Sequence, residues 1–167
     1  MSERLGWGHI NVNVSDLEAS ISFYEKLGFE LFIPGIPYLA LNAEQNNQVD
    51  SGSVEALGLP QATSGRACIM QLDHGFPKLD LTEFNNLEQR EPLTNSDIGV
   101  VRLCLVSQDL AADYDRLSAA GVSFISPPQL CHERLAEVAT CRDPDGTLIE
   151  LIQIYLDRWP PIRPANG

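Results

Sequence analysis

The sequence predicts an α+β fold of two βαβββ modules related by a pseudo-twofold, with curved mixed sheets forming a cupped half-barrel cleft. Three observations carry that prediction. Residues 7–29 recur in altered form at 100–122, so that His9 and Arg102, Asp16 and Asp109, Leu17 and Leu110, and Gly28 and Gly121 each lie 93 positions apart with no gap. Each half then reads as a strand, a helix and three further strands. Finally, Leu79-Asp80-Leu81 recurs as Ile149-Glu150-Leu151 at a spacing of 70. The shorter spacing means that the first half is longer, as the polar, turn-rich segment 42–65 requires. The expected organisation is a first module over 1–84, a linker over 85–97, a second module over 98–156 and a proline-rich tail over 157–167.

Residues 8–14 alternate, with Ile10, Val12 and Val14 on one face and His9, Asn11 and Asn13 on the other, which is strand behaviour. Ser15 and Glu18 have capping-box spacing and start a helix with Leu17, Ile21, Tyr24 and Leu27 as its apolar stripe. Gly28 ends it, and Phe29–Ile33 is the next strand, stopped by Pro34-Gly35. Segment 42–65 holds a short helix near Ser53–Leu57 and reads either as a lid or as a mobile surface insertion. Arg66–Leu72 and Lys78–Phe84 form a hairpin about Asp73–Pro77. In the second half, Val100–Val106 is a strand and Asp109–Ala120 a helix stopped by Gly121. Val122–Ile125, Leu135–Cys141 and Leu148–Tyr155 are the three remaining strands, the last two joined through Asp143-Pro144-Asp145-Gly146. The tail is expected to lie extended.

Composition bounds the function. Apolar residues make up 44% and charged residues 20%, as in ordinary globular domains. No apolar run approaches the ~20 residues of a membrane span, and the first residues lack a secretion signal, so a cytoplasmic location is expected. The formal net charge of −12 argues against nucleic acid and anionic membrane as partners. Four cysteines without Cys-x-x-Cys spacing read as reduced thiols filling core space.

Four polar positions on strands are related by the repeat: His9 with Arg102, and Asp80 with Glu150. Alternation turns Asp80 away from Leu79 and Leu81, and Glu150 away from Ile149 and Leu151. Two curved half-sheets would bring the four together in a cleft, where burial obliges them to pair or to coordinate something. Histidine and carboxylate together suit a divalent metal such as Zn, Fe, Mn or Ni. Asn11 and Phe84 are expected to contact substrate. His74 and His132 read as solvent-facing, and Glu83 falls on the face away from the cleft.

These stretches, from Gly8-His9-Ile10 through Ser15-Asp16-Leu17, Phe23-Tyr24 with Leu27-Gly28-Phe29, Leu79-Asp80-Leu81, and Asp143-Pro144-Asp145-Gly146 through Ile149-Glu150-Leu151, resemble the vicinal oxygen chelate superfamily. That superfamily includes glyoxalase I, methylmalonyl-CoA epimerase, extradiol dioxygenases and bleomycin- and fosfomycin-resistance proteins. The resemblance implies His9 as first metal ligand, Glu150 as last, and Asp80 where many members carry Glu, Gln or His. It also marks a departure, because Arg102 stands where the metal enzymes usually carry His. A guanidinium has no lone pair for a metal and stays charged, so Arg102 either pairs with Asp80 or Glu150 or clamps a carboxylate or phosphate on a ligand. The expectation is isomerase- or lyase-type proton transfer on a small, oxygen-rich, carboxylate-bearing molecule. Arg102 anchors the substrate, His9 and Glu150 are catalytic, and the metal site of His9, Asp80 and Glu150 is altered. The alternatives are a non-catalytic binder that sequesters a small molecule and, third, a metal-dependent dioxygenase. A homodimer is the expected assembly.

Overall fold

Asp16 and Asp109 start the two longest helices in the same way. Each has φ −145° and a carboxylate oxygen that accepts the backbone N–H three residues on, from Ala19 at 2.9 Å and from Ala112 at 3.0 Å. This removes one orphan donor from each helix start. The cap of the first helix is therefore Asp16, not Ser15, and Glu18 is drawn to Arg66 instead of completing a capping box. Gly28 and Gly121 end the helices with φ of +98° and +86°, a conformation that costs a residue without Cβ little.

The computed structural model describes residues 5–161. The chain divides into two units, Met1–Glu91 and Pro92–Gly167.

In the first unit, β1 (His9–Asn13) is followed by α1 (Leu17–Lys26), β2 (Phe29–Ile33) and the short strands β3 (Gly35–Ile36), β4 (Leu41–Asn42) and β5 (Asn47–Gln48). Helix α2 (Ser51–Leu57) then leads to β6 (Ser64–Leu72) and β7 (Lys78–Phe84). The main sheet runs in the order β1-β7-β6-β2, with β1 parallel to β7 and the other pairs antiparallel. Alternation along β1, β6 and β7 turns Val12, Cys68, Met70, Leu79 and Leu81 to one face, and all are buried, as are Leu17 and Tyr24 of α1. Fully burying side chains such as Leu17 and Leu81 stabilises by roughly 1.5–3 kcal/mol each.

Segment 42–65 is a folded insertion with its own small core. Val49 and Val54 are buried in a cluster with Ile36, Leu39, Leu41, Ala67 and Phe84. Backbone bonds from Asp50 N to Leu39 O (3.0 Å) and from Val49 N to Thr63 O (2.9 Å) tie it down. Asp50 caps α2, and Gly58 ends it at φ +63°.

The second unit holds β8 (Arg102–Val106), α3 (Leu110–Ala119), β9 (Gln129–Leu130), β10 (Ala136–Arg142) and β11 (Leu148–Ile154), in the sheet order β8-β11-β10-β9. The expected strand Val122–Ile125 is reduced to one bridge, Phe124 to Cys141. Ile125 N still donates to Thr140 O at 2.8 Å, but Pro127 and Pro128 supply no N–H, so the ladder cannot continue. The edge is completed instead by β9 against β10. Leu156–Arg158 forms a 3₁₀ turn where an extended tail was expected, and the end of that tail, 162–167, lies outside the described residues. The units are therefore open α+β sheets. Among the described residues no helix is long and apolar enough to cross a membrane.

A tertiary cap recurs in both units. The Leu17 N–H donates to Glu83 Oε2 at 2.6 Å, and the Leu110 N–H donates to Gln153 Oε1 at 2.8 Å. Glu83 and Gln153 are 70 positions apart, the spacing that relates Asp80 to Glu150. Strands β7 and β11 thus hold their helices by equivalent residues on the side opposite Asp80 and Glu150.

Candidate functional site

The register of β1 on β7 sets His9 beside Lys78 and Asn11 beside Asp80. His9 is partly exposed, whereas Asp80 is only 1% exposed. His9 Nε2 stands 3.6 Å from Asp80 Oδ2, and Asp80 Oδ1 is buried with no hydrogen-bond partner among the described residues. Burial pushes the Asp80 carboxyl above the usual carboxylate range, and the charge of His9 opposes that rise.

Tyr38, which the sequence reading missed, sits on the turn that the insertion supports. Its ring centroid is 6.5 Å from that of His9. Burial, and then the charge of Asp80, raise its phenol. Lys78, also buried, has its charge occupied within the sheet. Its ammonium donates to Gln71 Oε1 at 2.9 Å and lies 4.6 and 4.8 Å from the ring centroids of Phe32 and Phe76.

Of the expected substrate contacts, Asn11 is exposed but tied by its amide to Asn13 Oδ1 (3.0 Å) and Thr82 Oγ1 (3.2 Å). Phe84 lies in the packed cluster beneath the insertion, so its ring is not a free wall. His74 and His132 are exposed.

In the second unit, β8 runs parallel to β11, with Arg102 beside Leu148 and Cys104 beside Glu150. Arg102 Nε donates to Glu150 Oε2, and Arg102 Nη1 donates to Asn95 Oδ1 at 3.1 Å. A cavity of about 430 Å³ opens here, lined by Gly99, Val100, Val101, Arg102, Cys104 and Glu150. Cys104 and Cys131 are exposed, which corrects the expectation that all four thiols fill the core. Cys68 and Cys141 are buried, and burial pushes them up to about 12 and about 11.

The expected residues thus meet as two pairs, His9 with Asp80 and Arg102 with Glu150, each inside one unit. A third acidic group, Asp16, Glu18 and Glu83, brings its oxygens within 4.8 Å of one another. It already contains a cation. Arg66 donates to Glu18 Oε2 at 2.8 Å and to Glu83 Oε1 and Oε2 at 3.1 and 2.9 Å, which holds the Glu18 carboxyl below its ordinary range.

The class is that of an open α+β repeat, with a His–carboxylate pair on β1 and β7 of one unit and an Arg–carboxylate pair on β8 and β11 of the other. The chain belongs to the Glyoxalase/Bleomycin resistance protein/Dioxygenase superfamily, whose model matches residues 6–151. It is 26% identical over 147 residues to an uncharacterized protein of Shewanella frigidimarina, matching 87% of this chain and 91% of that one. It is also 26% identical over 163 residues to a lactoylglutathione lyase of Pseudomonas aeruginosa, matching 90% of this chain and 84% of the relative. A glyoxalase family protein from Bacillus cereus superposes with a TM-score of 0.70 at 18% identity, covering 92% of this chain and 96% of that one, which is a likeness of fold.

The donor set does not fit the divalent metal that the resemblance implies. Such a site asks for at least three protein donors. His9 and Asp80 supply two, Glu150 is engaged by a guanidinium, and Arg102 offers no lone pair.

Because the Asp80 carboxyl binds its proton more tightly folded than unfolded, its contribution is fully present below about pH 3.9. That contribution is lost as pH rises through the raised folded value. Asp80→Asn removes the effect. The variant is expected to be more stable than wild type near neutrality, with the difference shrinking toward acid, as read by chemical denaturation from pH 4 to 8. A stability difference independent of pH overturns the burial argument.

Proposed function

We propose that this chain catalyses isomerase- or lyase-type proton transfer on a small, oxygen-rich, carboxylate-bearing molecule, with His9 and Asp80 moving the proton and Arg102 binding a substrate oxygen. The observation that carries the reading is a partly exposed imidazole beside a fully buried carboxyl with one unpartnered oxygen. Imidazole exchanges protons near neutrality, and a carboxyl that burial holds protonated to higher pH can share a proton with it. His9 takes a proton from a carbon beside a carbonyl and returns it to the neighbouring carbon or oxygen, so that no oxidant or reductant is required. Glu150, expected to be catalytic, has its carboxylate engaged by Arg102 and is given no proton-transfer role here. The name of the Pseudomonas aeruginosa relative supports lyase chemistry, and a homodimer is part of the same reading.

The test is deuterium wash-in from heavy water at the carbon next to the carbonyl of small 2-oxo carboxylates, followed by proton NMR. Exchange well above the buffer rate is expected. Saturable binding without exchange would replace the enzyme reading with the sequestering one.

A further inference from the structure

We infer that the second unit carries a pocket for a singly charged carboxylate, in which the free edge of the Arg102 guanidinium binds the anion and Cys104 lies beneath the adjoining carbon. This rests on the reading of Arg102 as the substrate anchor and adds the charge limit and the residue that sets the fit.

Guanidinium has five N–H donors in a fixed plane. One, on Nε, goes to Glu150, and one, on Nη1, goes to Asn95. Two acceptors on separate segments therefore hold the plane. The three remaining donors, one on Nη1 and two on Nη2, meet no acceptor among the described residues. They form the edge that matches a carboxylate bidentately. The Arg102 side chain is 43% exposed where the cavity opens, whereas Glu150 is 13% exposed behind it.

Charge sets the class of anion. Arg102 and Glu150 cancel, and the chain as a whole carries −12, so the pocket has one oriented donor edge and no surplus positive charge. A monoanion gains the bidentate bonds, whereas a dianion such as phosphate also meets the repulsion of Glu150. Cys104 follows Arg102 by two on the same face of β8, about 7 Å along the strand. Its side chain lines the same cavity and forms the floor under the group attached to the carboxylate. Val100 and Val101 make the rest of the lining apolar, which suits a small organic body.

The experiment titrates the whole chain with pyruvate, inorganic phosphate and Mn²⁺ separately, reading heat and, for Mn²⁺, its electron paramagnetic resonance signal. Pyruvate is expected to bind, with phosphate at least about tenfold weaker and Mn²⁺ free in solution. Arg102→Met is expected to weaken pyruvate at least about tenfold, and Arg102→Lys, which keeps the charge but not the fork, to fall between. In the wild-type protein, pyruvate is expected to slow alkylation of Cys104 by iodoacetamide, a readout that does not depend on a variant folding. Equal binding of phosphate and pyruvate, undiminished pyruvate binding in Arg102→Met, unprotected Cys104, or stoichiometric Mn²⁺ lost on Glu150→Gln would each overturn the pocket. Arg102-dependent binding without deuterium exchange refutes the proposed reaction and leaves the pocket standing. Exchange whose KM is unchanged in Arg102→Met refutes the pocket and leaves the reaction standing.

Discussion

His9→Gln is expected to lower the deuterium-exchange rate about 10²–10⁴-fold, the usual contribution of a positioned general acid–base group. Glutamine can still accept and donate hydrogen bonds, so polarity on the sheet face is retained while the titrating group is lost. The His9 side chain is 41% exposed and its nearest charged partner is 3.6 Å away, so little buried contact is lost with it. Thermal unfolding should therefore move little, and that invariance is the control that separates chemistry from folding. On the proposed assignment of the substrate carboxylate to Arg102, KM is expected to change less than kcat. An exchange rate in His9→Gln that matches wild type would remove His9 from the reaction. A rate lost together with the unfolding transition would make His9 structural.

The parts of this fold that depend on neighbours in the chain were legible in the sequence. Asp109 precedes an apolar stripe, Gly28 and Gly121 end the two helices, and period-two alternation separates His9 from Ile10 and Asp80 from Leu79. Each is a local rule, and the repeat states it twice. What was missed depends on groups distant in sequence. Ser15 has the spacing of a cap, but Asp16 takes that place while Glu83, 66 residues on, satisfies the Leu17 N–H. Arg66 claims Glu18 across 48 residues. Tyr38 reaches His9 only because the insertion packs Val49 and Val54 beside Phe84. Phe84 has the right parity to face substrate, yet parity does not reveal that an insertion covers it. Arg102 was marked by its place in the repeat. Its two acceptors required coordinates, because Asn95 lies in a polar stretch with no periodic pattern.

Gly65→Ala is expected to destabilise the protein by about 2–4 kcal/mol, the range of substitutions that force backbone to move in a packed strand pair. In a chain of this size that corresponds to a fall in Tm of roughly 5–15 °C. A Cβ built on Gly65 would lie 2.2 Å from the Glu83 carbonyl oxygen and 3.0 Å from Phe84 Cα, distances that no side-chain rotation relieves. The cause is therefore close backbone approach, not a glycine-only conformation. Relief requires β6 to shift against β7. The same ladder pairs Ile69 with Asp80 and Arg66 with Glu83. A shift at Gly65 is thus transmitted to the Arg66 bridge, to the Glu83 bond that caps α1, and to the seat of Asp80 beside His9. Loss of stability should accordingly be accompanied by loss of exchange activity below the unfolding temperature. A variant that melts with wild type, as followed by circular dichroism, would mean that the β6–β7 pair is looser than its contacts imply. The position of Asp80 would then rest on something other than this register.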